Sequence, residues 1–328
     1  MRKKINVALI YKKNYTFFNK EHFDNTTYYF FLKSLLENDS LDVQLFPTDN
    51  EFDCRKLQGK IDVILLANNN TDATPEKLIG IKDVRIPVIC RTGDPHSAER
   101  YNQIEFHEKW KIDYYFNFIH EDYFYEFYPK KIPYKTIIFG LEKSLYQNIS
   151  PFHNRIKNKI LLTGAIAHKN FSKKLKWKFK KPSHGETIFE YKLRTMCSSI
   201  PYVDYTPTLN HDFIADKYPV LLQKYQSSIA ATTNFPTIKY WEIPAAGCLT
   251  FMEITDKNRG KYLGYTDDKN AIFINEKNYE KKFEDYLSDP DNEKWKIIAE
   301  SGREYAIQNF SNERAVEKLV NLMTELIK

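Results

Sequence analysis

The sequence predicts an α/β protein made of two domains, each built on a doubly wound parallel sheet. Three observations predict this fold class. Nearly continuous apolar runs at residues 61–66 and 86–90 are typical of strands buried on both faces of a parallel sheet. Segments with helical spacing separate such runs, and a second series of the same kind begins at residue 159. The chain of 328 residues is also long enough for two cores.

The first domain is predicted over residues 1–150. From their apolar runs, strands are expected at residues 5–11, 43–46, 61–66, 86–90, 113–118 and 136–140. Helices are expected at residues 25–37 and 120–127. The polar stretch at residues 144–158, which contains Pro151, is predicted to be a linker.

The second domain is predicted over residues 151–310. Strands are expected at residues 159–164, 227–233, 249–252 and 271–274. Helices are expected at residues 188–199, after Pro236, and within residues 276–310. Thr237 is a possible N-cap for the second of these helices. The last segment, residues 311–328, has its apolar residues at helical spacing and must bury one face.

The composition is that of a soluble globular protein, with 42% apolar and 28% charged residues. No apolar run approaches 18 residues and the N-terminal run is too short for a signal peptide, so a cytoplasmic location is expected. Four scattered cysteines without CxxC spacing are expected to be buried free thiols. The histidines are dispersed and HExxH is absent, so no metal site is predicted.

The charge pattern has one local feature, a basic run from Lys169 to Lys181 interleaved with aromatic residues. Such a run can contact anionic lipid at the inner membrane face, an acceptor phosphate or nucleic acid, or it can be a solvated face. Over the whole chain the 49 basic and 43 acidic residues are largely interspersed, which predicts no nucleic-acid partner.

Open parallel sheets bind ligands beyond the carboxyl ends of their strands, so the turns after strands are the places to search for a site. The first such turn, residues 91–96, brings Asp94 and His96 directly after a strand. Asp94 or His96 is predicted to orient an acceptor hydroxyl or to act as its general base. The alternative is that Asp94 and the following proline simply form a turn.

A second turn, residues 163–169, follows the first strand of the second domain. Gly164 permits close approach of the backbone to a phosphate, and His168 or Lys169 is expected near the phosphates of a donor. The alternative is an exposed basic loop. The chain has no GxGxxG and no GxxxxGK[ST] pattern, which argues against an NAD-dependent enzyme or a P-loop ATPase.

Three more charged residues are candidates in the second domain. Arg194 is predicted either to pair with a diphosphate or to be an ordinary arginine on a helix surface. Lys239 and Glu242 stand at i and i+3 near a predicted helix start, so they share one helix face. Lys239 is expected to stabilise charge on a leaving phosphate, and Glu242 to accept hydrogen bonds from ribose hydroxyls. A local ion pair between them is the alternative.

Five segments in chain order carry a resemblance to a known family. They are residues 190–194 (Glu-Tyr-Lys-Leu-Arg), 239–250 (Lys-Tyr-Trp-Glu-Ile-Pro-Ala-Ala-Gly-Cys-Leu-Thr), 264–271 (Gly-Tyr-Thr-Asp-Asp-Lys-Asn-Ala), 286–290 (Tyr-Leu-Ser-Asp-Pro) and 299–305 (Ala-Glu-Ser-Gly-Arg-Glu-Tyr). This series resembles the C-terminal half of GT-B glycosyltransferases, and most closely the CgeB-like (spore maturation) branch. The first half is similar through its topology and through residues 138–142.

The resemblance implies two Rossmann-like domains with a cleft between them, with residues 311–328 packed back on the first. It implies a metal-independent, hexosyltransferase-like enzyme without a cofactor, which transfers a sugar from a nucleoside diphosphate sugar. The acceptor, expected at the first domain, is a glycan, a lipid-linked molecule or a protein. The donor is expected at the second domain, where Thr233 and Asn234 join the residues described above.

One position departs from the family pattern. Many retaining GT-B enzymes carry a glutamate where this chain has Asn234. Asn234 is still able to form a hydrogen bond with a sugar, and the anomeric outcome stays open. Two other functions are compatible with the same residues: a non-catalytic protein that binds a nucleotide sugar or a glycan, and a nucleotide-sugar epimerase.

Overall fold

The chain folds into two compact units. A computed structural model describes residues 4–15, 27–167, 184–207 and 217–328. The first unit comprises Met1–Glu142 and Phe310–Lys328, and the second comprises Lys143–Asn309. In the described parts of both units the paired strands are parallel. The predicted fold class, α/β with two doubly wound parallel sheets, is therefore confirmed.

The elements are numbered in chain order over the described residues. The strands are β1 (Ile5–Lys12), β2 (Leu41–Thr48), β3 (Glu51–Asp53), β4 (Val63–Leu66), β5 (Lys77–Ile79), β6 (Val88–Arg91), β7 (Tyr114–Asn117), β8 (Tyr134–Thr136), β9 (Ile156–Thr163), β10 (Val203–Thr206), β11 (Tyr225–Ala230), β12 (Leu249–Glu253) and β13 (Ile272–Ile274). The helices are α1 (Thr27–Leu36), α2 (Gln103–Trp110), α3 (Glu121–Phe124), α4 (Thr187–Glu190), α5 (Lys192–Cys197), α6 (Lys217–Leu222), α7 (Lys239–Ala245), α8 (Tyr279–Ser288), α9 (Glu293–Phe310) and α10 (Asn312–Leu326).

The first unit is built on a six-stranded sheet in the order β2-β1-β4-β6-β7-β8, and β3 pairs with β5 in a small separate sheet. Successive residues of β1 point to opposite faces. Val7 and Leu9 belong to one apolar cluster, whereas Ala8 and Ile10 belong to the other. Because both faces of the sheet are covered, its inner strands consist of nearly continuous apolar runs.

The C-terminal helix α10 packs into the core of the first unit. Leu319 and Val316 on its apolar face are fully buried and share a cluster with Val7 and Leu9 of β1. The side chain of Asn312, at the start of α10, accepts a hydrogen bond of 2.7 Å from the backbone N–H of Gly140. The helical spacing of the last segment is thus explained by burial against the first sheet.

The second unit is built on a five-stranded sheet in the order β10-β9-β11-β12-β13. The chain leaves β9 toward β10 on one side and then returns to place β11 on the other side of β9. The winding direction therefore reverses between β9 and β11, which makes this pair the switch point of the sheet. One face of the sheet is covered by a cluster that includes Phe283 and Trp295.

Some predicted elements differ from the structure. The strand predicted at residues 136–140 is displaced to β8, and Ile137 and Phe139 are buried in the core without extending the strand. The helix predicted at residues 188–199 is divided into α4 and α5 at Tyr191, whose φ of −128° is not helical. Burial alone explains the apolar residues at 137 and 139, so an apolar run here did not mark a strand.

The predicted N-cap at Thr237 is wrong. Helix α7 begins at Lys239, and no side chain caps its N-terminus. Ile238 is already in the right-handed helical region, and the backbone carbonyl of Thr237 accepts a hydrogen bond of 2.9 Å from Tyr240 N. A tight backbone turn therefore leads into the helix, and the side-chain oxygen of Thr237 has no capping role.

The expectation of buried free thiols is confirmed. Cys54, Cys90, Cys197 and Cys248 are all buried, and none forms a disulfide. Over the residues described, no helix combines the length and the apolar character needed to cross a bilayer. The basic run from Lys169 to Lys181 lies outside the described residues, so its predicted contact with anionic groups stays a prediction.

Candidate functional site at the switch point of the second sheet

Two loops follow the strands that flank the switch point of the second sheet. The loop after β9 begins at Thr163 and Gly164, and the loop after β11 runs from Ala231 to Asn234. In open parallel sheets, ligands bind beyond the carboxyl ends of the strands at this reversal of winding. Five of the residues predicted to hold a donor lie on these two loops or against them: Gly164, Arg194, Thr233, Asn234 and Lys239.

Arg194 joins the two loops. Its guanidinium donates a hydrogen bond of 3.2 Å from Nη1 to the carbonyl of Ala165 and one of 2.8 Å from Nη2 to the carbonyl of Ala231. The side chain is 2% exposed, and its Cζ lies 4.2 Å from the centre of the Tyr191 ring. Nε is buried without a hydrogen-bond partner in the described part of the chain. Arg194 is therefore a buried cation at the switch point, and the alternative of an ordinary surface arginine is wrong.

Lys239, the first residue of α7, reaches the end of β9. Its ammonium donates hydrogen bonds of 2.9 Å to Thr163 Oγ1 and 3.0 Å to the phenol oxygen of Tyr218. Burial is the main cause that lowers the pKa of Lys239, the positive charge of Arg194 lowers it further, and the charge of Glu242 opposes these two effects. The charged form of Lys239 is therefore poorly hydrated and lies close to the positive charge of Arg194.

Gly164 lies between the two cations. Its φ of +94° is in the region that side chains disfavour, and a Cβ at this position would lie 2.9 Å from Lys239 Cε and 3.0 Å from Arg194 Nη1. Only glycine fits without displacing one of the two cations. The backbone at Gly164 is therefore closely flanked by Lys239 and Arg194.

Neither of these cations is neutralised by a carboxylate in the described residues, where no ion pair within 4.0 Å involves Lys239 or Arg194. Glu242 lies one helical turn after Lys239 but does not form the ion pair that local spacing allows. Burial raises the pKa of the Glu242 carboxyl, while the charge of Lys239 opposes this effect. The Glu242 carboxyl also makes no hydrogen bond to the described residues, so it is available to a ligand.

Thr233 and Asn234, on the loop after β11, lie against α4. Asn234 Nδ2 donates a hydrogen bond of 2.8 Å to Glu190 Oε1, and Thr233 N donates one of 2.8 Å to the backbone carbonyl of Glu190. Thr233 Oγ1 is buried without a partner among the residues described. The structure thus places a carboxylate beside Asn234, although the chain has no acidic residue at position 234.

Glu253 ends β12 at the same edge of the sheet. The residue is 4% exposed, and Oε2 has no hydrogen-bond partner in the described chain. Burial, with a smaller contribution from the charge of Glu276, raises the pKa of Glu253 to about 8. The Glu253 carboxyl is therefore expected to be largely protonated at neutral pH. In this form it adds no negative charge near the two cations.

The remaining predicted residues lie elsewhere. Asp94 and His96 follow β6 in the first unit, where Asp94 is exposed and begins a short 3-10 turn without a side-chain capping bond. His96 Nδ1 lies 3.4 Å from the phenol oxygen of Tyr123. His168 and Lys169 lie outside the described residues, so their proximity to a donor stays a prediction.

Sequence reasoning missed three residues that shape the site. Thr163 and Tyr218 hold the Lys239 ammonium, and Glu190 holds the Asn234 amide. Thr163 could have been found because it is the next-to-last residue of a predicted strand, and Glu190 because it begins the segment that contains Arg194. Tyr218 had no comparable signal, since nothing in its local sequence indicates which strand end it approaches.

Comparison with known proteins gives structural matches only, since no family model and no curated protein matches the sequence. Anabaena HepE in complex with UDP-glucose matches with a TM-score of 0.54 and 12% identity, over 98% of this chain and 100% of HepE. A glycosyltransferase from Rickettsia africae matches with a TM-score of 0.55 and 10% identity, over 100% of both chains. Sucrose-phosphate synthase from Thermosynechococcus elongatus matches with a TM-score of 0.55 and 7% identity, over 98% of this chain and 99% of that one.

The fold is GT-B. At these low identities the matches establish the fold, and the activity has to be argued from the site itself. In this GT-B fold the two cations and Gly164 lie at the switch point of the second Rossmann-like unit. Within the described ranges, no group of three or more His, Cys, Asp and Glu residues is arranged to hold a metal ion.

Proposed function

We propose that the protein is a glycosyltransferase that binds a nucleoside diphosphate sugar at the switch point of the second unit. The observation that carries the proposal is the pair of cations, Lys239 and Arg194, that flank Gly164 without an ion-pair partner among the described residues. Two poorly hydrated cations repel each other. A diphosphate relieves this repulsion and replaces the lost hydration, so the site is suited to a diphosphate ligand.

Each donor group has a proposed partner. Arg194 and Lys239 hold the phosphates, and the backbone of Gly164 permits their close approach. The free carboxyl of Glu242, one turn along α7, accepts hydrogen bonds from the ribose hydroxyls. Thr233 and Asn234, on the loop after β11, lie on the side of the sugar.

The proposed reaction moves the anomeric carbon from one oxygen to another. The bond between the anomeric carbon and the diphosphate oxygen breaks, and its electron pair stays on the phosphate. A bond forms between the same carbon and the acceptor hydroxyl oxygen, and the hydroxyl proton passes to a base. Lys239 and Arg194 stabilise the charge that develops on the leaving diphosphate. Asp94 or His96 of the first unit is the proposed base.

Two lines of similarity support this function. The segments around Arg194 and Lys239 resemble those of CgeB-like glycosyltransferases. HepE, which shares the fold over 98% of this chain and 100% of its own, was crystallised with UDP and with UDP-glucose. UDP and UDP-glucose are therefore the first ligands to test, followed by GDP-, ADP-, CMP- and dTDP-sugars.

A thermal-shift screen of these nucleotides and nucleotide sugars tests the donor site. A ligand that binds the folded state raises Tm in a concentration-dependent way. We expect at least one nucleoside diphosphate and its sugar to raise Tm. The donor site would be refuted if no nucleotide in the panel shifted Tm at millimolar concentration.

Product analysis then tests the transfer itself. The nucleotide sugar that gives the largest shift is incubated with and without mixed glycan and lipid-linked acceptors, and the release of nucleoside diphosphate is followed. We expect acceptor-dependent release that persists in excess EDTA, because the proposed charge stabilisation uses Lys239 and Arg194. Isomerisation of the sugar without an acceptor would indicate an epimerase instead.

A further inference from the structure

Glu190, at the end of α4, is a buried residue whose carboxylate accepts two hydrogen bonds at one oxygen and none from the described residues at the other. The residue is 6% exposed. Oε1 accepts hydrogen bonds of 2.8 Å from Asn234 Nδ2 and 2.8 Å from the backbone N–H of Gly185. Oε2 makes no hydrogen bond to the described residues. Since a carboxylate only accepts hydrogen bonds, the Asn234 side chain presents its amide nitrogen to Glu190. This hydrogen bond holds the carboxylate in position.

Glu190 lies against the loop that leads from the proposed phosphate site. Thr233, one residue before Asn234, donates its backbone N–H to the Glu190 carbonyl at 2.8 Å. On the same loop, the carbonyl of Ala231 accepts the hydrogen bond from Arg194 Nη2. The loop after β11 therefore contacts the buried Arg194 through Ala231 and the buried Glu190 through Asn234.

A second polar group at this place also lacks a partner. Thr233 is 7% exposed, and its Oγ1 is buried without a hydrogen bond to the described residues. A buried hydroxyl without a hydrogen-bond partner lowers the stability of the fold. This hydroxyl and the unused oxygen of Glu190 belong to neighbouring segments beside the proposed phosphate site, and a ligand that forms hydrogen bonds with both fits this place.

The chemistry of these two groups selects the ligand. Glu190 forms no ion pair with the described residues, and its carboxylate oxygen can only accept a hydrogen bond. A phosphate would be repelled by Glu190 and therefore belongs at the cations instead. A sugar hydroxyl donates to the carboxylate oxygen and accepts from Thr233 Oγ1, so a polyhydroxylated ring satisfies both groups.

We propose that Glu190, positioned by Asn234, forms with Thr233 the subsite that binds the hydroxyl groups of the donor sugar. The inference rests on the proposed donor site, because it names the residues that bind the sugar portion of the same donor. Glu190 contacts the sugar and not the nucleotide. It therefore contributes to the preference for nucleotide sugar over nucleotide, and to the choice among sugars.

The test compares the affinity for a nucleoside diphosphate with the affinity for its sugar. Calorimetric titrations use UDP and UDP-glucose, or the pair that gives the largest shift in the thermal screen. For Glu190→Gln we expect the Kd for the nucleoside diphosphate to stay within about twofold and the Kd for the nucleotide sugar to rise about tenfold. Glu276→Gln, which removes an exposed carboxylate that pairs with Lys192, is the matched control and should change neither.

Thr233→Val is the second variant, because it removes the hydroxyl with almost no change in shape and does not depend on Glu190→Gln being well folded. This variant should also weaken binding of the nucleotide sugar and leave binding of the nucleoside diphosphate unchanged. Equal weakening of both ligands in the two variants, or no change in either ligand, would overturn the sugar subsite. Failure of the wild-type protein to bind any nucleoside diphosphate would overturn the donor site, and the subsite with it.

Discussion

The ammonium of Lys239 donates a hydrogen bond of 2.9 Å to Thr163 Oγ1, which joins the first residue of α7 to the last residue of β9. This contact brings a cation on a helix start to the carboxyl end of a strand, 76 residues earlier in the chain. Lys239 thereby reaches the switch point of the sheet, beside Gly164 and Arg194. The proposed donor site depends on this relationship.

Replacement of either charged residue of α7 is expected to weaken nucleotide binding. Lys239→Ala removes a half-buried cation from the phosphate site, and we expect its Kd for the nucleoside diphosphate to rise about 10- to 100-fold. For Glu242→Ala, which removes the proposed ribose partner, we expect about a tenfold rise. Isothermal titration with the ligand chosen by the thermal screen measures both changes.

The control for these variants is Lys261→Ala. Its side chain is 75% exposed and pairs with Asp256 in the same unit, so its loss should leave the affinity unchanged. Circular dichroism checks that Lys239→Ala and Glu242→Ala keep the fold. Wild-type affinity in both variants would show that the nucleotide does not bind at α7.

Addition of one methyl group at Gly164 is expected to displace the two cations. The new Cβ would lie 2.9 Å from Lys239 Cε, and the φ of +94° is strained for alanine. We expect Gly164→Ala to lose about 1 kcal/mol or more of stability and at least tenfold in nucleotide affinity. Affinity is measured by titration and stability by urea denaturation.

Gly59→Ala separates backbone strain from the effect on the site. Gly59 has a φ of +77°, but a Cβ there meets nothing within 4 Å. This variant should lose stability to a similar extent and keep its nucleotide affinity. If Gly164→Ala bound nucleotide as the wild type does, close packing of the cations around Gly164 would not matter for binding.

Stability is expected to depend on pH through Glu253. Its pKa is raised from 4.5 to about 8 by burial, with a smaller contribution from the charge of Glu276. A carboxyl whose pKa is higher in the folded state stabilises the fold fully below its unfolded pKa. This stabilisation is lost as the pH rises toward the folded value. We therefore expect the Tm of the wild type, relative to that of Glu253→Gln, to fall between about pH 5 and about pH 8.

Calorimetry of both proteins across this pH range measures the effect, and a difference of a few degrees is expected at about pH 8. Glu300→Gln, a change at an exposed carboxylate of the same unit, should follow the wild type at every pH. A constant difference in Tm between Glu253→Gln and the wild type would contradict the raised pKa.

Truncation of the buried face of α10 is expected to destabilise the first unit. Leu319 is fully buried in the cluster that contains Val7 and Leu9 of β1. Leu319→Ala should cost about 2–5 kcal/mol in the free energy of unfolding, because it leaves a cavity in this core. Urea denaturation measures the cost, with the exposed Glu317→Ala on the same helix as control. A cost as small as that of Glu317→Ala would mean that the helix does not pack there.

Much of the fold could be predicted from local patterns. The apolar runs at residues 61–66 and 86–90 correspond to the inner strands β4 and β6, because a strand covered on both faces has apolar residues at nearly every position. The spacing of the last segment likewise identified α10. Short or interrupted elements were missed. Helix α2 and strand β10 were not predicted, since neither has enough residues for a clear period.

The candidate site was predictable only in part. Gly164 and Lys239 were found because they stand after a strand and at a helix start, where open sheets bind ligands. Tyr218 and Glu190 were not assigned a role, although one holds Lys239 and the other holds Asn234. Their roles come from contacts between segments far apart in the chain, and no local spacing encodes such contacts.

The sequence by itself determined the fold class and placed Lys239 and Glu242 on one helix face, because burial and helical periodicity are local properties of a segment. Only the tertiary structure decided which groups those side chains meet. Lys239 binds Thr163 and Tyr218 instead of Glu242, and Asn234 binds a glutamate from another helix. A hydrogen bond requires two atoms about 3 Å apart, and this distance is set by how remote strands and helices pack together.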